Sequence, residues 1–218
     1  MKRAEGFYVF SDNSFSTRGF TWAMSIRPRS EMYHRVCPKY GVVESYPSGA
    51  LDIVVESGSK YPDILGCGAY PFLIVADRVV KAWHEAGVES FHVYPVSIAE
   101  VKCRKLRDIE PPAYYRVEID GRCQIDLAAS GLEIVRLAPE CHYLWTRPSM
   151  ASGFRMVPGS WDGSPLFRDP VLYPRVTFCT QLILALAGQH RFTNFRFEPM
   201  EGPFDPSSKG IDYLKKRQ

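Results

Sequence analysis

Residues 71–87, Pro71-Phe72-Leu73-Ile74-Val75-Ala76-Asp77-Arg78-Val79-Val80-Lys81-Ala82-Trp83-His84-Glu85-Ala86-Gly87, carry the clearest local code in the chain. Pro71-Phe72-Leu73-Ile74-Val75 reads as a buried strand, a short apolar run bounded by turn residues. Asp77 can accept hydrogen bonds from the free amides at the start of a helix over about residues 78–85. Val79, Val80, Trp83 and Ala86 fall on one helical face at i, i+1, i+4 and i+7. Gly87 predicts the helix end, and Ser90-Phe91-His92-Val93-Tyr94 resumes as a strand before Pro95.

The same order returns near the other end. Arg175-Val176-Thr177-Phe178-Cys179 reads as a strand, Thr180 as an N-cap, residues 181–188 as a helix, and Thr193-Asn194-Phe195-Arg196-Phe197 as a strand ending at Pro199. An ungapped offset of 104 residues lays Ala76 on Thr180, Val79 on Ile183, Val80 on Leu184, Phe91 on Phe195 and Pro95 on Pro199. Similar pattern rather than identity carries this internal duplication. Between the two units, residues 113–119 and 122–127 flank Asp120-Gly121, a strong hairpin signal because glycine accepts the positive φ of a tight turn. Residues 7–10, 51–55 and 132–137 read as further strands. Residues 11–18 read as a loop and 61–68 as turns, while 19–50 show no lasting periodicity. The predicted fold class is α/β (α+β): two pseudo-repeated strand–helix–strand units around a mixed sheet with a central β-hairpin. One compact domain spans residues 1–218, with pseudo-repeat halves at about 37–105 and 141–200.

Composition narrows the function. With 218 residues, 45% hydrophobic and 23% charged, the chain has the make-up of a globular protein and not of a disordered one. A net charge of +3 supplies neither the basic field of a nucleic-acid binder nor the negative one of a DNA mimic. The one basic cluster, Lys102-Cys103-Arg104-Lys105-Leu106-Arg107, reads as an exposed strand or loop face. No apolar run approaches the roughly 20 residues that span a bilayer, and the N-terminus lacks the apolar core of an export signal. Six cysteines, at 37, 67, 103, 123, 141 and 179, form no CxxC pair. They are expected to be reduced thiols in a cytoplasmic protein.

Two proline–strand–helix–strand units, each preceded by a cysteine-bearing segment, form a larger pattern. The second runs from Gly159-Ser160-Trp161-Asp162-Gly163-Ser164-Pro165-Leu166-Phe167-Arg168 to Thr193-Asn194-Phe195-Arg196-Phe197-Glu198-Pro199. The first carries Tyr61-Pro62-Asp63-Ile64 and the strand and helix quoted above. Over roughly residues 37–200 this resembles the double-CxxCG-motif proteins, regarded with related families as immunity proteins of bacterial polymorphic toxin systems. The resemblance implies a cytoplasmic protein that binds a cognate protein toxin and neutralises it by steric and electrostatic complementarity, without catalysis.

This chain departs from the family at the cysteines. Paired cysteines would hold Zn²⁺ through four thiolates. Here Cys37-Pro38-Lys39-Tyr40-Gly41 has tyrosine in the second ligand's place, and Cys141-His142-Tyr143-Leu144-Trp145 has lost spacing and glycine. His34, Cys37, Cys141 and His142 do not make a replacement set, because adjacent side chains on a strand point to opposite sides. No metal and no cofactor are expected. Gly66-Cys67-Gly68 invites a nucleophile reading, but no base is placed beside the thiol by sequence, and turn glycines explain the motif. No phosphate-binding or hydrolytic motif occurs. Trp161 and Asp162 are the candidate partner-binding residues: a tryptophan in a Gly/Ser/Pro loop anchors an interface or plugs the core from outside, and Asp162 forms an Asx turn as readily as a contact. The competing readings are a small hydrolase or transferase using Cys67 and Asp63, and a nucleic-acid-binding module.

Overall fold

The computed structural model describes residues 6–12, 19–24, 32–37, 41–47, 49–67, 73–132, 134–138, 143–146, 153–170, 172 and 176–202, with the backbone alone for 12, 24, 32–37, 41–47, 134–138 and 143–146. The described residues are mostly β. There are fifteen strands against two α-helices, so the α/β expectation is overturned.

Six strands close a barrel: β2 (Trp22–Met24), β5 (Leu51–Ser57), β8 (Phe91–Val101), β9 (Tyr114–Ile119), β7 (Leu73–Ala76) and β6 (Ile64–Cys67), with β6 meeting β2 in parallel. A second sheet has the order β10 (Gly121–Arg122), β13 (Leu166–Arg168), β14 (Thr177–Thr180), β1 (Phe7–Asp12) and β15 (Phe195–Pro199). Two small hairpins complete the strands, β3 (Met32–Cys37) with β4 (Gly41–Pro47) and β11 (Ile134–Ala138) with β12 (Tyr143–Thr146).

The two helices are α1 (Asp77–Glu85) and α2 (Gln181–Gln189), and the 104-residue offset holds at both of their ends and at the strands before them. It also holds at their C-termini. Gly87 has a φ of 75°, and Val88 and Gly87 donate to the carbonyls of Trp83 and His84. Arg191 has a φ of 51°, and Phe192 and Arg191 donate to those of Ala187 and Gly188. Both are Schellman caps, one on the expected glycine and one on an arginine held in the left-handed region.

The match extends to the sheets. In the barrel β2, β6, β7, β9 and β8 are neighbours in the senses parallel, antiparallel, antiparallel, antiparallel. In the second sheet β10, β13, β14, β1 and β15 follow with the same senses. Each helix therefore joins two parallel strands separated by an antiparallel one. In the first set that middle strand, β9, follows its unit in the chain; in the second set it is β1, from the other end of the chain. Where β5 closes the barrel, residues 153–157 cross the second sheet's open side: Phe154 donates to the carbonyl of Met200, and Val157 to that of Gln124.

Three clusters fill the layers. Inside the barrel lie Ala23, Leu51, Ile53, Leu65, Ile74 and Tyr114. Between the two sheets, Val75, Val79, Trp83, Phe91, Ile183, Leu186, Phe192 and Phe197 form a shared core that holds both helices. On the far side of the second sheet, Val9, Phe154, Phe167 and Phe178 pack together. Alternation along β1 shows the two-sided burial: Phe10 enters the shared core and Val9 the far one.

Four local expectations need correction. Asp120-Gly121 is not a hairpin turn, because β9 belongs to the barrel and β10 to the second sheet. Gly121 is needed for close approach instead: a Cβ there would lie 2.1 Å from the carbonyl oxygen of Leu166. Residues 61–68 are not all turns, since Ile64–Cys67 is a fully buried strand. Pro95 does not end its strand, because pairing with β5 begins only at Val96 and the proline sits where β8 has a single neighbour. Neither Asp77 nor Thr180 caps a helix through its side chain. Asp77 is instead the first helical residue and pairs with Lys81 at 2.5 Å.

Candidate functional site

The residues singled out from the sequence do not converge on one place. Trp161 is half-buried on the far face of the second sheet, its ring 5.0 Å from that of Phe7 and 5.9 Å from that of Phe167, and its Nε1 donates to the carbonyl of Ser164 at 3.0 Å. Asp162 accepts from the amides of Arg122 at 2.7 Å and Ser164 at 2.9 Å. Burial opposes ionisation of Asp162, but these hydrogen bonds outweigh it and hold the carboxyl below its ordinary range. Trp161 thus covers the core edge while Asp162 ties its loop to β10.

Cys67 is buried in β6 inside the barrel, among Ala23, Leu51 and Ile74. Burial pushes the Cys179 thiol up, and it pushes the Cys123 thiol up to about 12, with Asp169 and Asp162 adding to the effect. Tyr40, Cys141 and His142 lie outside the described residues, and of His34 and Cys37 only the backbone in β3 is described. Among the described residues no three His, Cys, Asp or Glu side chains are grouped to hold a metal ion. The basic cluster makes a short 3₁₀ turn, Arg104–Leu106, whose Leu106 is buried, and Lys102 pairs with Glu56 at 2.9 Å.

Asp63 has a clear structural partner set. Its side chain is 8% exposed and accepts from Arg78 Nε, from Arg78 Nη2 at 2.6 Å, and from the Thr193 amide at 2.7 Å and hydroxyl at 2.8 Å. Arg78 also lies 5.1 Å from the centre of the Phe192 ring. Asp63 stands just before β6 and Thr193 just before β15, so the cluster clamps one set of elements to the other. Beside it opens a cleft of about 650 Å³, lined among others by Tyr61, Asp77, Arg78, Ile109, Glu110 and Pro112.

No family model matches this chain, and no curated protein does.

The feature that sequence reasoning missed is the difference between the two helices. Their burial runs in step: Val79 and Ile183, Ala82 and Leu186, and Trp83 and Ala187 are buried, while 78 and 182, 81 and 185, 84 and 188, and 85 and 189 face outward. On α1 the outward residues are Arg78, Lys81, His84 and Glu85. On α2 they are Leu182, Ala185, Gly188 and Gln189. Leu182 is 39% exposed, and it and Ile109, at 49%, are the large apolar residues that stand out among the described ones. The signal was visible in the sequence: residues 181–190 contain no Asp, Glu, Lys or Arg, whereas 77–86 contain four.

Proposed function

We propose that this protein works by binding a protein partner through the outward face of α2. The observation that carries the reading is the charge contrast between the two helices at matched exposure. A helix face left in water ordinarily carries charged or polar residues, as α1 does. An uncharged, partly apolar face at the same position is surface suited to being covered. The resemblance to the double-CxxCG-motif immunity proteins supplies the finer reading: the partner is a cognate bacterial toxin, held inactive by occlusion. Buried anchors at the centre of such an interface account for most of its affinity.

The test is co-expression with a co-encoded toxin, scored by growth and by isolation of the complex. The wild-type chain should protect. Leu182→Asp and Ala185→Arg should each weaken the complex by about 2 kcal/mol or more. Their melting temperatures should stay near the parent's, because outward positions change stability by only about 0.5 kcal/mol. Cys67→Ala should leave protection intact. Loss of protection from a folded Cys67→Ala protein with unchanged toxin affinity would point to an enzyme instead.

A further inference from the structure

We infer that the cleft beside the Asp63–Arg78 clamp receives a basic side chain, lysine or arginine, of a protein partner. This inference rests on the protein-binding reading and adds a second contact to it. The cleft has two kinds of wall. Tyr61, Pro62, Ile109 and Pro112 supply apolar surface, and Ile109 is the most exposed large hydrophobic residue described. Asp77 and Glu110 supply carboxylates. Arg78 is the one cation among the described residues of the lining, and its charge is matched by Asp63 in a bidentate pair. Glu110 is exposed and makes no ion pair among the described residues, and Asp77 is engaged only by the solvent-facing Lys81. With Asp63 and Arg78 cancelling, the described lining retains Glu110 and Asp77 as its carboxylates, the second shared with Lys81. The cations of the 104–107 turn do not line the cleft.

Apolar walls leading to carboxylates match the build of a long basic side chain, whose aliphatic stem covers hydrophobic surface while its head reaches charge. The volume lies within the range of pockets that bury most of a ligand, larger than one side chain needs, so the residues flanking the basic one are seated as well. A free anion would meet the Glu110 carboxylate, which has no ion pair among the described residues, and Asp77, whose charge is shared with Lys81 on the solvent side. An acidic partner segment would be repelled by the same groups.

The experiment is an amide NMR titration of the full chain with three blocked tripeptides: acetyl-Gly-Arg-Gly-amide, its norleucine analogue with the stem alone, and its glutamate analogue. The arginine peptide should produce saturating shifts at the amides of Tyr61, Asp77, Ile109, Glu110 and Ala113, and the other two should bind at least about tenfold more weakly. Glu110→Lys should cost the arginine peptide about tenfold, and the variant's own spectrum reports whether the fold is kept. Equal binding of the norleucine peptide, shifts confined to other surfaces, no shifts up to about 10 mM, or indifference to Glu110→Lys would each overturn the inference. None of these outcomes involves α2, so failure here leaves the α2 interface to be judged by the Leu182 and Ala185 variants.

Discussion

Asp63→Ala should destabilise the protein strongly, and its size can be worked from the contacts. The substitution removes the acceptor of four hydrogen bonds, two from Arg78 and two from Thr193. The Arg78 side chain is 54% exposed, so water replaces much of what its guanidinium loses, and that ion pair contributes about 1 kcal/mol or less. The Thr193 amide and hydroxyl lose a charged acceptor at a part-buried site, which costs about 1–3 kcal/mol. The sum is about 1–4 kcal/mol, or roughly 2–16 °C in melting temperature for a chain of this size. Arg78→Met removes the more exposed partner yet should cost at least as much, because it leaves a buried carboxylate with only Thr193 to offset its charge. The double variant should then be less destabilised than the sum of the two single ones. Thermal melts of the four proteins at one pH provide the cycle. An Asp63→Ala protein melting within a degree of the parent, or strict additivity, would show that the cluster does not clamp the two sets of elements together.

Three further outcomes follow from burial and charge. Val80→Asp should unfold the protein, because it puts an unpaired carboxylate into the shared core; Leu184→Asp, at the matching but half-buried position, should give a folded protein with a lowered melting temperature. Trp161→Ala should cost about 3 kcal/mol or more in thermal melts through lost packing on Phe7 and Phe167; a large loss of partner affinity at unchanged stability would make Trp161 an interface anchor. Asp162 has a depressed carboxyl in the folded state, so it stabilises above the ordinary carboxylate range near pH 4 and loses that contribution as pH falls through its folded value. The melting-temperature gap between wild type and Asp162→Asn should therefore be widest near neutrality and narrow as pH falls below the ordinary carboxylate range near 4.

The helices were legible in the sequence because Val79, Val80 and Trp83 repeat at the helical period, and their 104-residue echo located α2 to the residue at its start. The barrel was not legible, for physical reasons. β2 is three residues long, and β6 hides among Pro62, Gly66 and Gly68, residues that punctuate a chain locally. Their pairing, Trp22 with Gly66 and Ala23 with Cys67, is non-local and leaves no periodic trace. Asp120-Gly121 shows the opposite failure. The local signal was strong, but the glycine answers to the Leu166 carbonyl pressed against it and not to a turn. At the candidate site, Asp63 was noticed as an acid, yet Arg78 and Thr193 reach it only through the fold.

The placement of β1 bears on how far the α2 surface speaks of function. It lies between β14 and β15 as β9 lies between β7 and β8, so each helix meets the same arrangement of strands beneath it. Both helices also bury three matching positions into one shared core, Val79 with Ile183, Ala82 with Leu186 and Trp83 with Ala187. The inner faces are therefore set by packing, and the fold makes equal demands on the two outer faces. It places no requirement on an outward Leu182 that it does not place on Arg78. Part of the difference is structural, since Arg78 closes the clamp on Asp63, whereas near Leu182 the equivalent place in the sheet register is Pro165, whose carbonyl accepts from Thr180 as that of Asp63 does from Ala76. That accounts for one residue. It leaves Ala185 against Lys81, Gly188 against His84 and Gln189 against Glu85, where solvent-facing positions carry charge or a titratable ring on one helix and none on the other. Packing cannot select that difference, because these side chains point away from the core. A partner that covers the outward residues of α2 and leaves Lys81, His84 and Glu85 in water can.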